Sequence, residues 1–179
     1  GYGCNPKYIA IELLKRNKGW KLVWLTDNIE TGFPEEITVV QQDTIKAIFE
    51  SATAGVWIDN QRKLPHHKKR KKQIFIETWH GGGGPIKKIG ADNPSNIGNI
   101  PYYKTSLHMD KIVDVMISNS ICCSQIYRSA FLYHGEILEC GYPRNDILVD
   151  KWKEGKERKK VYNFYKLDNN VKTVLYAPT

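Results

Sequence analysis

A histidine, a run of glycines and a pair of lysines lie together in one short segment of this chain, residues 79–88. Glycine has no Cβ and reaches positive φ, so backbone N–H groups in residues 81–84 can approach a ligand closely. Successive N–H groups of this kind form an anion-binding nest, and Lys87 and Lys88 add positive charge. His80 can transfer a proton near neutral pH. Together these residue types predict a site that handles phosphate.

The position of this segment favours the same interpretation. Ile74, Phe75 and Ile76 form a short apolar run, which predicts a buried strand that ends just before His80. Open α/β sheets bind ligands at the carboxyl ends of their strands. On these residues alone an alternative stays open, in which the glycines form a flexible turn and His80 is a hydrogen-bonded polar residue beside Trp79.

Strand and helix patterns alternate along the chain. Apolar runs predict strands at residues 22–25, 39–40, 56–58, 74–76, 113–117 and 136–138, with helical patterns between most of them. Alternation at this spacing predicts a parallel sheet with helices on both faces. The expected fold is therefore α/β and Rossmann-like.

Capping signals predict where the helices begin. Asn5 followed by Pro6 has the form of a cap and a first helical residue, and Gly19 ends that helix. Asp43 is expected to cap a helix over residues 44–52, and a serine pair around Asn119 is expected to cap another. The remaining expectations are a polar loop at residues 92–103, a short helix near Leu107, a charged helix at residues 151–165, and inward-facing Ile45, Ile48 and Phe49.

Composition limits the class of protein. The chain has 179 residues, 41% hydrophobic and 26% charged, which is typical of a globular domain with a core. No apolar run approaches the roughly 20 residues that cross a bilayer, and no secretory signal is visible. The four cysteines lack C-x-x-C spacing, so we expect reduced thiols in the cytosol and no metal site at these residues.

Positive charge is concentrated in one basic run, Lys68-Lys69-Arg70-Lys71-Lys72, in a chain with a net charge of +8. Such a run attracts nucleic acid, anionic lipid or a polyanionic substrate, whereas a solvated connection before the Ile74 strand explains it equally well. Gly84 is followed by Pro85, which is incompatible with an ordinary P-loop. RNA-binding signatures are absent as well, so nucleic acid is not the expected partner.

Five motifs occur in one order along nearly the whole chain. They are Asn5-Pro6-Lys7-Tyr8, Thr78-Trp79-His80-Gly81, Ile86-Lys87-Lys88-Ile89-Gly90, Gly141-Tyr142-Pro143-Arg144-Asn145-Asp146 and Leu175-Tyr176-Ala177-Pro178-Thr179. With these motifs the chain resembles the CDP-glycerol glycerophosphotransferase family of teichoic-acid and capsule polymerases.

The resemblance implies a two-domain GT-B enzyme that attaches peripherally to the cytoplasmic face of the cell membrane. Residues 1–150 would form a Rossmann-like acceptor-side domain without its first strand, residues 151–170 a connecting helix, and residues 171–179 the start of a donor-binding domain. The enzyme would transfer glycerol phosphate, or a related polyol phosphate, from CDP-glycerol or another CDP-polyol to a lipid-linked polyol-phosphate acceptor and release CMP. It would contact an anionic membrane surface. The chain would then be a fragment, inactive alone.

In the reaction that the resemblance implies, His80 takes the role of general base and accepts the proton of the acceptor hydroxyl. The transferring phosphoryl group needs fixed donors. Backbone N–H groups of Gly81, Gly82, Gly83 and Gly84, with Lys87 or Lys88, can supply them. No carboxylate cluster predicts a magnesium site, and no cofactor is expected. The other candidate substrate-binding residues are Thr78, Trp79, Arg144, Asn145 and Asp146.

Several of these residues also have a structural explanation. Asn145 or Asp146 could cap a helix instead of facing a cleft in which Arg144 approaches phosphate. Trp79 is expected to pack beneath the loop and hold His80, with stacking on an acceptor as the alternative. Asn5 is expected to be a cap rather than a ligand. The remaining isolated polar residues are expected to be structural or solvent-facing: Asp92, Asp110, His108 and His134.

One departure from the family pattern concerns the loop. Many members have Thr-Pro soon after Trp-His-Gly, whereas here three further glycines precede Pro85. This difference leaves the donor polyol open. Two other functions are compatible with the sequence: a GT-B glycosyltransferase that uses a nucleotide sugar, and a non-catalytic basic module that binds nucleic acid or an anionic surface.

Overall fold

The computed structural model describes residues 1–29, 32–82, 86, 89–150, 155–168, 170, 172–174 and 176. The chain divides into two compact units, Gly1–Arg144 and Asn145–Thr179. Among the described residues, no helix has both the length and the apolar character that a membrane span requires.

The first unit alternates helices and strands, as the sequence predicts. Its elements in order are α1 (Cys4–Arg16), β1 (Leu22–Thr26), β2 (Ile37–Gln41), α2 (Ile45–Thr53), β3 (Val56–Asp59), β4 (Ile74–Glu77), a 3-10 turn (Pro94–Asn96), α3 (Ile100–Ile112), β5 (Val115–Ser118), α4 (Ile121–Ala130) and β6 (Glu136–Glu139). A second 3-10 turn (Pro143–Asn145) follows β6.

All described strand pairs are parallel, but they form two sheets. β1 pairs with β2, and a separate four-stranded sheet has the order β3-β4-β5-β6. In the larger sheet Asp59 lies opposite Glu77, and Ser118 lies opposite Glu139. The predicted parallel α/β architecture is confirmed, with the difference that β1 and β2 stand apart from the other four strands.

One apolar core supports the carboxyl end of β4. Phe75 of β4 and Met116 of β5 pack with Tyr127 of α4, and all three side chains are buried. Trp79 and Ile86, which lie on either side of the glycine run, belong to the same cluster. The glycine loop is thus anchored in the core at both ends.

Local capping signals predict one helix start correctly and another with an error of one residue. Ser120 caps α4, because its Oγ accepts a hydrogen bond from the Cys123 N–H at 3.2 Å. For α2 the cap is Thr44, whose Oγ1 accepts from the Ala47 N–H at 3.2 Å. Asp43 adopts a left-handed conformation with φ of 57°, whereas a capping residue has an extended backbone such as that of Thr44.

Two expectations about helices are wrong. Ile45, Ile48 and Phe49 of α2 are 87%, 68% and 61% exposed, so this apolar stripe faces outward, and Ala47 is the buried residue of the helix. α3 begins at Ile100, inside the expected polar loop, because Asn99 accepts a capping bond from the Tyr102 N–H and Pro101 occupies the first turn.

The second unit contains two helices among its described residues, α5 (Asp146–Asp150) and α6 (Lys156–Tyr165). Within it the Tyr162 hydroxyl lies 2.8 Å from Thr173 Oγ1 and accepts from Arg158 at 3.1 Å. The expected charged helix is present as α6. The domain boundaries at residues 150 and 170 stay predictions.

Candidate active site

The backbone directly after β4 has an unusual conformation at Trp79. This buried tryptophan has φ of 51°, which lies in the left-handed region. Residues other than glycine adopt this backbone conformation at a cost in free energy. Its N–H donates to Glu77 Oε1 at 2.8 Å. The preceding residue, Thr78, is fully buried and extends the pairing with β3, because its N–H donates to the Asp59 carbonyl at 2.8 Å.

Asn5 binds the same segment through its side chain. Its side-chain Nδ2 donates to the Thr78 carbonyl at 3.2 Å and to the Trp79 carbonyl at 2.9 Å. The expectation that Asn5 caps α1 is wrong: the helix begins at Cys4 with Gly3 at the cap, and Asn5 lies inside its first turn, fully buried. A side chain that satisfies two buried carbonyl groups is a structural part of the site.

Arg144 completes the same cluster. Its backbone N–H donates to Asn5 Oδ1 at 3.3 Å, and its guanidinium donates to the His80 carbonyl at 3.0 Å. Cys4 Sγ accepts a further bond from the guanidinium at 3.2 Å. Three motifs that are far apart in the sequence therefore meet here, around residues 5, 78–80 and 144.

His80 lies on the surface of this cluster with a defined ring position. Its imidazole stacks on the Trp79 indole, with ring centroids 4.4 Å apart and planes inclined by 28°. Nδ1 lies 2.6 Å from the Asn60 carbonyl oxygen. Because a carbonyl oxygen only accepts, Nδ1 carries the proton and the neutral ring keeps its lone pair on Nε2. His80 is an exposed residue.

The described part of the glycine loop packs closely on this cluster. The Gly81 carbonyl accepts a hydrogen bond from the Tyr142 hydroxyl at 2.9 Å. A Cβ at Gly81 would lie 3.1 Å from Trp79 Nε1, which explains why a glycine suits this position. Further along, the Ile86 N–H donates to the Gly82 carbonyl at 3.2 Å. Gly83, Gly84, Lys87 and Lys88 lie outside the described residues, so the phosphate nest stays a prediction.

The tyrosine beneath Gly81 belongs to a buried hydroxyl pair that the sequence did not indicate. The Tyr142 hydroxyl lies 2.7 Å from that of Tyr127. Burial raises the pKa of Tyr142 to about 12 and raises that of Tyr127 as well. Both hydroxyls are therefore neutral at physiological pH, and Tyr142 can act as a hydrogen-bond donor to the Gly81 carbonyl.

Glu77 is a further residue that sequence reasoning missed. It is 1% exposed, and its second carboxyl oxygen has no partner among the described residues. Burial raises the pKa of Glu77 well above its usual value, the nearby Asp59 carboxylate raises it further, and the Trp79 N–H acts in the opposite direction. Only its place at the end of an apolar strand signals a buried carboxyl.

This raised pKa predicts how stability depends on pH. A carboxyl whose pKa is higher in the folded than in the unfolded state stabilises the folded protein at low pH. This stabilisation is complete below the pKa of the unfolded state, which is near 4.5 for Glu77. It is lost as the pH rises through the pKa of the folded state. Glu77→Gln keeps an acceptor for the Trp79 N–H and cannot ionise. We expect the melting temperature of this variant, relative to that of the wild type, to increase as the pH rises from acidic to alkaline. Exposed Glu136→Gln is the control, and parallel curves for Glu77→Gln would contradict the prediction.

Asn145 and Asp146 belong to the second unit, at the end of a 3-10 turn and at the start of α5. Asp110 and His134, expected to be isolated, bind each other: Asp110 accepts from the His134 N–H at 2.6 Å and lies 3.2 Å from its Nδ1. Within the described residues, no three His, Cys, Asp or Glu side chains are grouped to hold a metal ion.

The whole chain, residues 1–179, matches the family described as CDP-glycerol:poly(glycerophosphate) glycerophosphotransferase. The chain belongs to this family. The predicted family membership is confirmed, and the cluster around His80 is formed by three of the five motifs on which that prediction rested.

Curated relatives and solved structures agree with this assignment. The teichoic acid poly(glycerol phosphate) polymerase of Bacillus spizizenii is 29% identical over 187 residues, which cover 99% of this chain and 46% of the relative. The teichoic acid glycerol-phosphate transferase of Staphylococcus aureus is 27% identical, with 99% and 47% covered. The chain thus spans less than half the length of these relatives.

Solved structures similar to this chain include those of the wall teichoic acid polymerase TagF. One TagF structure has a TM-score of 0.79 at 26% identity and covers 96% of this chain and 43% of TagF. A TagF variant soaked with CDPG has a TM-score of 0.82 at 26% identity and covers 100% of this chain and 45% of TagF. The predicted Rossmann-like fold of a GT-B-type transferase is confirmed by this likeness.

Proposed function

We propose that the full-length protein transfers glycerol phosphate, or a related polyol phosphate, from a CDP-activated donor to a growing teichoic-acid-like or capsular polymer. The polymer end would be a lipid-linked polyol phosphate. The proposal rests on the family of the chain, on relatives named as teichoic acid polymerases and transferases, and on the TagF structure soaked with CDPG.

His80 carries the proposal for the chemical step. The acceptor hydroxyl gives its proton to His80 Nε2 while its oxygen attacks the donor phosphorus distal to cytidine. The bond from that phosphorus to the bridging oxygen breaks, and CMP leaves with the bonding electrons. The hydrogen bond between Nδ1 and the Asn60 carbonyl supports this role, because it keeps the lone pair on Nε2 and stabilises the imidazolium that forms.

The residues around His80 have supporting roles in this proposal. Gly81 and Gly82, with the expected contributions of Gly83, Gly84, Lys87 and Lys88, would hold the transferring phosphoryl oxygens. Thr78 and Trp79 fix the backbone that leads into the loop. Arg144 donates to the His80 carbonyl and to Cys4, so its bonds favour a positioning role over direct contact with phosphate.

The donor is the decisive test of this function. The purified full-length protein, supplied with a lipid-linked polyol-phosphate acceptor and CDP-glycerol, should release CMP in proportion to polymer growth. A second CDP-polyol tests the identity of the polyol. Turnover of a UDP-sugar, with no CMP release from either CDP-polyol, would replace the proposal by the glycosyltransferase alternative.

We also propose that residues 1–150 act as the acceptor-side domain at the cytoplasmic membrane face, with residues 151–170 as the connection and residues 171–179 as the start of the donor-binding domain. The basic run supports the membrane contact. Four of its five residues are exposed, whereas the Lys69 ammonium binds the Asp114 carboxylate at 2.7 Å and the Gln73 carbonyl at 2.9 Å. Lys69 is therefore a structural residue of the run.

Removal of the four exposed charges should weaken membrane attachment. We expect a full-length variant to lose binding to anionic vesicles at low salt when Gln replaces Lys68, Arg70, Lys71 and Lys72 together. Each of these charges contributes about 1 kcal/mol near such a surface. Vesicle sedimentation across a salt series measures the loss. A control variant with the same net charge has Gln in place of four exposed lysines outside the basic run: Lys15, Lys18, Lys104 and Lys111. Equal binding by the two variants would contradict the prediction.

A further inference from the structure

The buried hydroxyl pair of Tyr127 and Tyr142 lies beneath the loop that follows His80. The Tyr127 hydroxyl lies 2.7 Å from the Tyr142 hydroxyl, which in turn lies 2.9 Å from the Gly81 carbonyl oxygen. Both tyrosines are buried, and Tyr127 belongs to α4. The pair therefore connects a core helix to the first glycine of the loop.

The directions of these hydrogen bonds follow from the groups that make them. A carbonyl oxygen only accepts, so Tyr142 donates its single hydroxyl proton to Gly81, and its oxygen accepts the proton of Tyr127. The Cys123 thiol, 3.7 Å from the Tyr142 oxygen, is a weaker partner. Burial raises the pKa of both tyrosine hydroxyls, which keeps both protons in place at physiological pH. Because aligned hydrogen bonds polarise one another, the pair holds the Gly81 carbonyl more strongly than one tyrosine would.

This carbonyl determines where the next N–H group points. In a planar trans peptide the C=O and the N–H are directed to opposite sides. The peptide that joins Gly81 to Gly82 is trans, and its carbonyl is directed at the buried Tyr142 hydroxyl. The N–H of Gly82 therefore points away from Tyr142. Gly82 is exposed, and its N–H has no hydrogen-bond partner among the described residues.

A peptide between two glycines needs such a constraint. Glycine populates positive and negative φ about equally, so this peptide can rotate unless one of its groups is bound. The preceding peptide is bound as well, because the Arg144 guanidinium donates to the His80 carbonyl at 3.0 Å. The N–H groups of Gly81 and Gly82 thus have fixed directions, and successive N–H groups of this kind are what an anion-binding nest requires.

We propose that Tyr142 is a positioning residue of the candidate active site. Its hydroxyl fixes the Gly81–Gly82 peptide so that the Gly82 N–H donates to an oxygen of the transferring phosphoryl group, and Tyr127 strengthens that hold. The identity of the phosphoryl group rests on the proposed function. No proton moves along the hydroxyl pair. The oriented N–H stabilises negative charge on the phosphoryl oxygen while the bond to CMP breaks, and it needs no reorganisation during the reaction.

Tyr142→Phe in the full-length protein removes the hydroxyl and keeps the ring. A donor aimed at a reacting oxygen contributes about 10²–10³-fold to kcat, so loss of its fixed direction should lower kcat at least about 10-fold. The KM for the CDP-activated donor should change little, because the bond acts on charge that develops in the transition state. Tyr127→Phe weakens the same hold without removing it and should lower kcat by a smaller factor. CMP release per folded molecule measures each effect.

Tyr133→Phe is the matched control. Tyr133 is buried in the same apolar core as Tyr127, and its hydroxyl donates to a backbone carbonyl, that of Glu136, at 3.0 Å. The control should lose stability and keep its kcat per folded molecule. An unchanged kcat in Tyr142→Phe, or an equal loss in Tyr142→Phe and Tyr133→Phe, would overturn the proposal.

Amide NMR gives a measurement that does not depend on turnover. In full-length protein labelled at the glycine nitrogens, titration with inorganic pyrophosphate should move the Gly82 amide proton to lower field, as a hydrogen bond to a phosphoryl oxygen does. Tyr142→Phe should strongly reduce this shift, and Tyr133→Phe should keep it. A wild-type Gly82 amide that does not respond to pyrophosphate would overturn the proposal. Absence of CMP release by the wild type with every CDP-polyol would contradict the proposed function alone.

Discussion

His80→Ala in the full-length protein should lower turnover by roughly 10²–10⁴-fold, the usual contribution of a general base. The expected loss follows from the ring geometry. Asn60 holds the Nδ1 proton, Trp79 holds the ring plane, and Nε2 is left with the lone pair that the acceptor hydroxyl needs. Donor binding should change little, because the imidazole acts on the acceptor in the proposed reaction.

Stability separates this role from a structural one. His80 is exposed, and substitutions at exposed positions usually change stability by about 0.5 kcal/mol or less. Loss of the ring stack on Trp79 adds about 0.5–1.5 kcal/mol. Neither effect unfolds enough protein to explain a 10²-fold loss of turnover, so activity normalised to folded protein identifies the chemical role.

His80→Gln is the sharper variant. Its amide can donate to the Asn60 carbonyl and fill much of the imidazole volume, but it does not take up a proton near neutral pH. We expect the Gln variant to melt close to the wild type, to bind the CDP-activated donor with similar affinity, and to lose turnover as the Ala variant does. A folded Gln variant with most of its turnover would remove His80 from the mechanism and leave residues 79–88 as a binding loop.

The strands and the His80 position were predictable because their signals are local. An apolar run such as Ile74-Phe75-Ile76 has few alternatives to a buried strand, and a glycine-rich segment directly after it must form a loop at the carboxyl edge of the sheet. The Ser120 cap was predictable for the same reason, because a serine before a helical pattern makes its bond within three residues.

The remaining parts of the fold and site depend on contacts distant in sequence. The apolar stripe of α2 has the helical period of a buried face, yet Ile45 and Ile48 are exposed, because a period shows which residues share a face and not whether another element covers it. Sequence reasoning also missed the burial of Glu77, whose one signal is its place at the end of an apolar strand, and the pair that Tyr127 forms with Tyr142.

Asn5 is the clearest case of a distant contact. The letters Asn-Pro match a helix cap, and a cap needs only neighbouring residues. The observed partners of its side chain are the carbonyl groups of Thr78 and Trp79, more than 70 positions away, and the Arg144 N–H, 139 positions away. No periodicity or spacing rule in a single sequence identifies such partners.

These bonds predict a large effect for Asn5→Ala. The substitution removes the Asn5 donor from the Thr78 carbonyl and the Asn5 acceptor from the Arg144 N–H, while the Trp79 carbonyl keeps the Thr78 hydroxyl at 3.3 Å. At roughly 1–3 kcal/mol for each of the two groups left unpaired, we expect a loss of stability of about 2–6 kcal/mol. Trp79 holds its left-handed conformation through the Glu77 carboxyl and this amide. With the amide removed, we expect the backbone at Trp79 to relax, His80 Nε2 to move from its position, and turnover per folded molecule to fall at least about 10-fold.

Two further variants isolate the positioning role of Asn5. Asn5→Asp is nearly isosteric and keeps an acceptor for the Arg144 N–H, but it places carboxylate oxygens against the Thr78 and Trp79 carbonyl groups, so its loss of stability should exceed that of Asn5→Ala. Asn96→Ala is the control, since Asn96 likewise donates to a backbone carbonyl, that of Gly90, at 2.8 Å. The control should lose stability and keep its turnover per folded molecule. If Asn5→Ala behaved in the same way, Asn5 would stabilise the fold without positioning His80.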